Sequence, residues 1–145
     1  PHKYFSRSAP LIYVFASDSH CDPGYLLYED FCYHFESESV KNWQDAETHC
    51  SREQGHLASF HSEEQLTHMP GEAWVGLNDI NVENQWVYTD GSPAVRDDAM
   101  NVLGMDHHEP GKLNDDFCTS TKEFICKKGL IIHYLKVPWH DNFTL

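Results

Sequence analysis

Five cysteines are the residues of this chain whose chemistry is easiest to interpret, because thiols form disulfides, bind metals or act as nucleophiles. They stand at Cys21, Cys32, Cys50, Cys118 and Cys126. No two of them form a Cys-x-x-Cys pair, and none lies in the local signature of a thiol enzyme. We therefore expect disulfides, formed in an oxidising compartment, and a location outside the cell or on its surface.

A second group of potential ligands is the run Asp106-His107-His108-Glu109. Zinc binds imidazole and carboxylate groups in a tetrahedral set. Adjacent side chains seldom converge on one ion, and the chain has no His-Glu-x-x-His motif. We interpret the run as a solvated polar turn.

Catalytic patterns are missing from the sequence. It has no Gly-x-Ser-x-Gly motif and no phosphate-binding glycine loop. Asp97 and Asp98 are adjacent, so their side chains need not converge as a general acid and base must. We predict that the chain is not an enzyme.

The charge of the chain excludes some partners. The formal net charge is −13, from 23 acidic and 10 basic side chains. Nucleic-acid binding needs a basic surface, so we expect no nucleic-acid partner. An acidic surface favours cations or basic partners, or serves only for solubility. No apolar run approaches the roughly 20 residues of a membrane-spanning helix.

The chain also contains eleven histidines, and adding eleven positive charges to −13 leaves only −2. Histidine is the side chain that changes charge between neutral and endosomal pH. Ligand binding that weakens at low pH, as in an endocytic receptor, is one interpretation. Scattered surface histidines without a role are the other.

Hydrophobic patterning predicts the order β, α, α and then mainly β after Cys21. Turns are predicted at Glu29-Asp30 and Asp90-Gly91. The predicted strands are residues 25–28, 31–35, 73–77, 85–88, 100–103 and 123–127, and the predicted helices are residues 39–54 and a shorter one from Ser62 to before Pro70. We divide the chain into an N-terminal extension (1–20), one domain (21–128) and a tail (129–145). The tail is either a linker or a strand against the extension.

Several separate motifs in a fixed order give this domain a resemblance to the C-type lectin-like domains. The matching pieces are Asn42-Trp43, Gly55 to Ser59, Trp74 to Leu77, Trp86 before Asp90-Gly91, and Leu113 to Asp115 before Cys118. Among these domains, the sequence most resembles those of the mannose-receptor family and of the lecticans. This resemblance implies an α+β fold: a two-part, mostly antiparallel sheet with two flanking helices and disulfides. It also implies the pairs Cys21–Cys32 and Cys50–Cys126.

The chain departs from the family at its long loop. The family's third disulfide joins the equivalent of Cys118 to a cysteine where this chain has Ala99. Cys118 is therefore either a free buried thiol or an intermolecular crosslink. Between Gly91 and Asp97 there is no room for the family's sugar-binding triplet. Either the loop is shortened, or residues have been lost from this sequence.

The resemblance also indicates candidate ligands for calcium and sugar. Asn114 and Asp115 match the family's calcium and sugar pair, and Asp97 matches an acidic position of the loop. Calcium would then be the cofactor, with an incomplete site. Trp86 and Glu109 are further candidate ligand-binding residues. Glu109-Pro110-Gly111 resembles the start of the triplet but stands close to Leu113, so we interpret it as a turn.

The predicted function is therefore non-enzymatic recognition outside the cell, as a domain of a receptor or matrix protein. Its ligand would be a protein or glycoprotein, contacted by a surface that Trp86, Tyr88 and residues 92–116 line or support. The alternative is a calcium-dependent lectin that binds carbohydrate. A third possibility is a spacer domain whose tails bind its neighbours.

Overall fold

A computed structural model of the chain describes residues 19–67, 72–94 and 113–132. Its elements follow the order β1 (Ser19–His20), β2 (Leu26–Tyr28), β3 (Phe31–Lys41), α1 (Trp43–Arg52), β4 (His56–Leu57), α2 (Glu63–Thr67), β5 (Ala73–Trp74), β6 (Leu77–Asn78), β7 (Val87–Tyr88), β8 (Lys122–Gly129) and β9 (Ile131–Ile132). The predicted strand at residues 100–103 lies outside the described residues. The α+β fold with mostly antiparallel pairing and two helices is confirmed.

Strand β8 is the centre of a five-stranded sheet. It pairs antiparallel with β3 on one side and with β4 on the other, while β5 pairs with it in parallel. Strand β2 extends the sheet beyond β3 through the predicted turn at Glu29-Asp30, where Glu29 has φ 51°. Four consecutive residues of β8, Phe124 to Lys127, are at most 8% exposed. The strand is thus buried on both faces, as a central strand must be.

Helix α1 begins at Trp43 rather than at Ser39, so the predicted start was wrong. The side chain of Asn42 accepts the N–H of Asp45 at 2.9 Å and caps the helix. Residues 39–41 continue β3, where the pairing register with β8 shifts between Glu36 and Lys41. The helix buries Trp43, Ala46 and Cys50 on one face, which directs Cys50 into the core.

The predicted strand 73–77 is two short strands. Strand β5 pairs with β8, whereas β6 pairs with β7, with Leu77 opposite Tyr88. The chain changes partner at Gly76, whose N–H donates to Ala58 O at 2.9 Å. A Cβ at Gly76 would lie 2.6 Å from Leu57 O, so only glycine fits this close approach.

Two disulfides join the ends of the domain to its core. Cys21 is bonded to Cys32, and Cys50 to Cys126, which confirms the pairing that the resemblance implied. The second bond joins α1 to β8. Among the described residues, no helix has the length and apolar character needed to cross a membrane.

Strand β9 pairs antiparallel with β1, with Ser19 opposite Ile132. The beginning of the predicted tail therefore lies against the end of the predicted extension, as in one of the two alternatives. The boundaries 1–20, 21–128 and 129–145 stay predictions.

Candidate ligand-binding surface

The hairpin of β6 and β7 is the scaffold of the candidate surface. Tyr88 is 2% exposed, and its hydroxyl donates to Phe60 O at 2.8 Å. The N–H of Thr89 donates to Gly76 O at 3.0 Å. Tyr88 therefore supports the surface from below, and its buried ring does not line it.

Trp86 stands one residue before β7 and is half-buried against the main hydrophobic cluster. Its indole Nε1 is buried and has no hydrogen-bond partner among the described residues. A buried indole N–H normally has a partner. The ring is held by packing against this cluster and is only partly exposed.

Asn114 and Asp115 follow Leu113, which is 7% exposed and belongs to the same hydrophobic cluster. Both side chains are exposed, on a connection without regular secondary structure that leads towards β8. Leu113 thus anchors the connection in the core, and the next two residues present an amide and a carboxylate to solvent.

Asn114 and Asp115 carry the kind of oxygen ligand that calcium binds, but two residues are too few for a complete site. Calcium binds six to eight oxygen atoms, several of them from carboxylates. Asn114 and Asp115 offer an amide oxygen and a carboxylate, and within the described residues no group of three His, Cys, Asp or Glu side chains converges on a metal site. They could hold one side of a calcium ion, and further ligands would have to complete the set.

The other residues predicted for the site cannot be assigned a place. Asp97, Glu109 and the polar run 106–109 lie outside the described residues. Of the predicted site residues, the structure therefore describes Asn114, Asp115 and Trp86 and leaves Asp97 and Glu109 as predictions.

Next to the connection, Asp116 and Lys122 form an ion pair at 2.9 Å. The hydrogen bond from Lys122 holds the pKa of Asp116 below its usual range, and the same bond raises the pKa of Lys122. Lys122 also lies 3.4 Å from Glu72 and 5.5 Å from the centre of the Trp74 ring. This pair ties the end of the connection to the start of β8.

Cys118 is a free thiol and is exposed, so the alternative of a buried free thiol was wrong. Its backbone carbonyl accepts the N–H of Trp43 at 3.1 Å, which fixes the peptide at the surface of α1. The neighbouring Phe117 is 81% exposed. The side chains of residues 117–119 are exposed, while the backbone of this turn is held by the start of the helix.

Sequence reasoning did not find the polar groups beneath this surface. Ser59 is fully buried and Lys127 is 8% exposed, and Asp90 contacts Ser59 from the turn after β7. The available signal was a lysine directly following the buried run Phe124-Ile125-Cys126 in a central strand. Such a lysine must have buried partners.

The comparisons with known proteins agree with this architecture. The family described as Lectin C-type domain matches residues 39–128. The chain is 33% identical over 100 residues to the low affinity immunoglobulin epsilon Fc receptor of Mus musculus. The aligned stretch covers 66% of this chain and 27% of the receptor. The chain thus spans about a quarter of that relative.

Other proteins of known structure share this fold. A calcium-independent type II antifreeze protein superposes with a TM-score of 0.65 at 25% identity, over 78% of this chain and 97% of that one. The carbohydrate-recognition domain of a mouse scavenger receptor C-type lectin superposes with a TM-score of 0.60 at 27% identity, over 76% and 98%. With its two disulfides and the family match over most of the domain, the chain belongs to the C-type lectin domain family.

Proposed function

We propose that this domain recognises a protein or glycoprotein ligand outside the cell, without catalysis, as one domain of a receptor or matrix protein such as those of the mannose-receptor and lectican type. Its surface would be formed by the β6–β7 hairpin, Trp86 and the connection that presents Asn114 and Asp115. The family is one of recognition domains, and the two disulfides suit an oxidising compartment.

The observation that supports a protein ligand is the apolar character of the hairpin. Ile80, Val82 and Val87 are 57%, 49% and 43% exposed. They lie in the loop between β6 and β7 and at its end, on the same hairpin that carries Trp86. Several exposed aliphatic side chains on one hairpin are a common feature of a protein-binding surface.

The charge around this hairpin indicates the kind of partner. Residues 53–95 contain seven Asp and Glu and no Lys or Arg. Within the loop, Asp79 and Glu83 flank the exposed aliphatic side chains. A basic protein surface with apolar side chains would complement both properties.

The second candidate function is calcium-dependent carbohydrate binding. It is favoured by the exposed Asn114 and Asp115, which match the family's calcium and sugar pair. A carbohydrate-recognition domain is among the similar structures, yet so is a calcium-independent protein. Asp97 and Glu109 would be the further ligands of this site.

A binding screen separates the two candidates. The purified chain is tested against an array of secreted proteins and a glycan array, each with calcium and with EDTA. A protein ligand that binds in EDTA and is lost in Ile80→Asp with Val87→Asp supports the proposal. Val40→Asp is the matched control, because Val40 is equally exposed (57%) on β3.

The opposite result assigns the lectin function. Calorimetric calcium binding that disappears in Asn114→Ala with Asp115→Ala, together with glycan binding that EDTA abolishes, would contradict a calcium-independent protein ligand. Retained binding in Ile80→Asp with Val87→Asp would show that the hairpin is not the contact.

A further inference from the structure

A lysine side chain lies in the core of the sheet. Nζ of Lys127 donates to the backbone oxygen of Ser59 at 3.0 Å and to its Oγ at 2.9 Å. It also lies 4.3 Å from the centre of the Phe31 ring. Burial lowers the pKa of Lys127, while the charges of Asp90 and Glu29 raise it. A buried cation needs negative charges or hydrogen-bond acceptors nearby. The groups that surround the ammonium therefore indicate the role of Lys127.

The hydroxyl of Ser59 connects Lys127 to Asp90 through two hydrogen bonds. Lysine can only donate hydrogen bonds, so Ser59 Oγ accepts from Lys127. The single proton of the hydroxyl is then donated to Oδ2 of Asp90. The charged ammonium of Lys127 at one end and the carboxylate of Asp90 at the other thus fix which group donates and which accepts in both hydrogen bonds.

Asp90 is the outer end of the hydrogen-bonded series Lys127–Ser59–Asp90, and its side chain is partly exposed at the surface. Its other oxygen, Oδ1, accepts the N–H of Ser92 at 2.8 Å and also the hydroxyl of Ser92. The turn itself is closed by the N–H of Gly91, which donates to Tyr88 O at 3.1 Å. The series therefore connects central strand β8 with the residue at which the chain leaves this turn.

Packing at Gly91 itself does not define this exit. Gly91 has φ +83°, and a Cβ placed there would have no neighbour within 4 Å. Beyond it, the described residues show an isolated bridge between Val87 and Pro93, and Ala94 packs against the main hydrophobic cluster. The carboxylate of Asp90 is thus the group that links this open turn to the buried lysine.

We propose that Lys127, Ser59 and Asp90 form a positioning chain that fixes the direction in which the polypeptide leaves the core at Ser92. Residues 92–94 directly follow the β6–β7 hairpin, so the positioning chain would set the base of the candidate ligand surface on that hairpin. Its importance for binding rests on the proposed function. The positioning itself does not, because it concerns bonds within the domain.

Hydrogen exchange followed by mass spectrometry tests the proposal without a ligand. Asp90→Asn removes the charge and keeps the shape of the side chain. We expect exchange of peptide 86–94 to become roughly 10- to 150-fold faster, as loss of a hydrogen bond to a charged group, about 1.5–3 kcal/mol, implies, and to accelerate clearly more than that of helix peptide 43–52. Ser92→Ala, which removes only the hydroxyl, should have a smaller effect on the same peptide.

Asp79→Asn is the matched control. Asp79 also stands in a turn of this hairpin and accepts a backbone N–H, from Asn84 at 3.0 Å, but no lysine bond to it is found among the described residues. It should leave the exchange of residues 86–94 near that of the unaltered protein. An equal acceleration in helix 43–52 for Asp90→Asn would show general destabilisation and overturn the proposal, as would unchanged exchange in both peptides.

A double substitution tests whether the lysine belongs to the series. Lys127→Met should accelerate exchange of residues 86–94 less in the Asp90→Asn background than in the unaltered protein, because the two side chains act as one unit. Fully additive effects would overturn the proposal. Faster exchange in Asp90→Asn with unchanged ligand binding would support the positioning chain and count against the proposed ligand surface.

Discussion

Oε1 of Glu47 lies 2.6 Å from Nδ1 of His56, although the two residues belong to different elements, α1 and β4. The second oxygen of the same carboxylate accepts the N–H of Leu57 at 2.9 Å. Leu57 is fully buried, and the Glu47 side chain is only 13% exposed. One carboxylate therefore satisfies a backbone donor of a core strand and holds the helix against it.

We expect Glu47→Ala to destabilise the domain by about 1–3 kcal/mol, because the buried N–H of Leu57 would lose its acceptor. Urea unfolding measures this as a lower midpoint with an unchanged slope. Gln44→Ala, on the exposed face of the same helix, should shift the midpoint little. Equal midpoints for the two variants would show that the carboxylate does not stabilise the strand.

The two disulfides should contribute unequally to stability. Cys50 and Cys126 are 76 residues apart, whereas Cys21 and Cys32 are 11 apart. Loop-closure entropy predicts a loss of about 4.5 kcal/mol for replacing the first pair by alanine and about 3 kcal/mol for the second. Guanidinium unfolding of the two variants provides the comparison. A larger loss for the Cys21–Cys32 pair would mean that native packing, rather than loop length, determines the contribution.

Cys118 should react as an exposed thiol. We expect one equivalent of thiol per chain to react with a water-soluble disulfide reagent in the folded state, since the other four cysteines are bonded. Cys118→Ser should abolish the reaction and leave the melting temperature within about 2 °C, as for a surface substitution. A folded chain whose thiol reacts only in denaturant would contradict the exposed position.

The stabilising effect of Asp90 should persist in mildly acidic solution. Burial raises the pKa of Asp90, but hydrogen bonds from Ser59 and Ser92 and the charge of Lys127 outweigh this, so its pKa lies below the ordinary value. A group with a lowered pKa stabilises the fold above the unfolded-state pKa of about 3.9 and loses this effect as the pH falls further.

The stability difference between the unaltered protein and Asp90→Asn should therefore be constant from pH 7 to about pH 5 and shrink below about pH 4. Melting temperatures of both proteins at pH 7, 5 and 3 measure it. A difference that has already vanished at pH 5 would contradict the lowered pKa.

The sequence was sufficient to predict the fold because its motifs report on core contacts. Cys50 is spaced for the buried face of α1, and Trp74 and Leu77 belong to strands of the core. The pairing of Cys50 with Cys126 followed from the resemblance, since spacing alone leaves several pairings open.

The end of β3 could not be predicted, because its residues Glu36 to Ser39 are polar and show no apolar alternation. The strand continues because the carboxylate of Glu36 accepts the N–H groups of Glu38 and Ser39, at 2.9 and 3.3 Å. These bonds satisfy donors that the shifted register leaves without a strand partner. A bond of this kind is set by the tertiary structure and leaves no periodic signal.

Of the candidate site, the sequence located Asn114, Asp115 and Trp86 but not what lies beneath them. Ser59 appeared only as part of a family motif, and Lys127 only as the last residue of the predicted strand 123–127. Their roles depend on contacts between residues 31 to 68 positions apart. Such pairs become visible only once the strands are assembled.

The central position of β8 has a consequence for the order in which this domain can fold. Its three sheet neighbours precede it in the chain, by 50 to 98 residues at the paired positions, as for Trp74 with Phe124 or Tyr33 with Lys127. On the ribosome, α1 and the two hairpins can form as local structures, but none has a sheet to join until β8 has emerged. During synthesis the apolar faces of β4 and β5 thus stay uncovered until β8 has emerged, and this is the interval in which chaperones and the oxidising machinery would have to protect the chain.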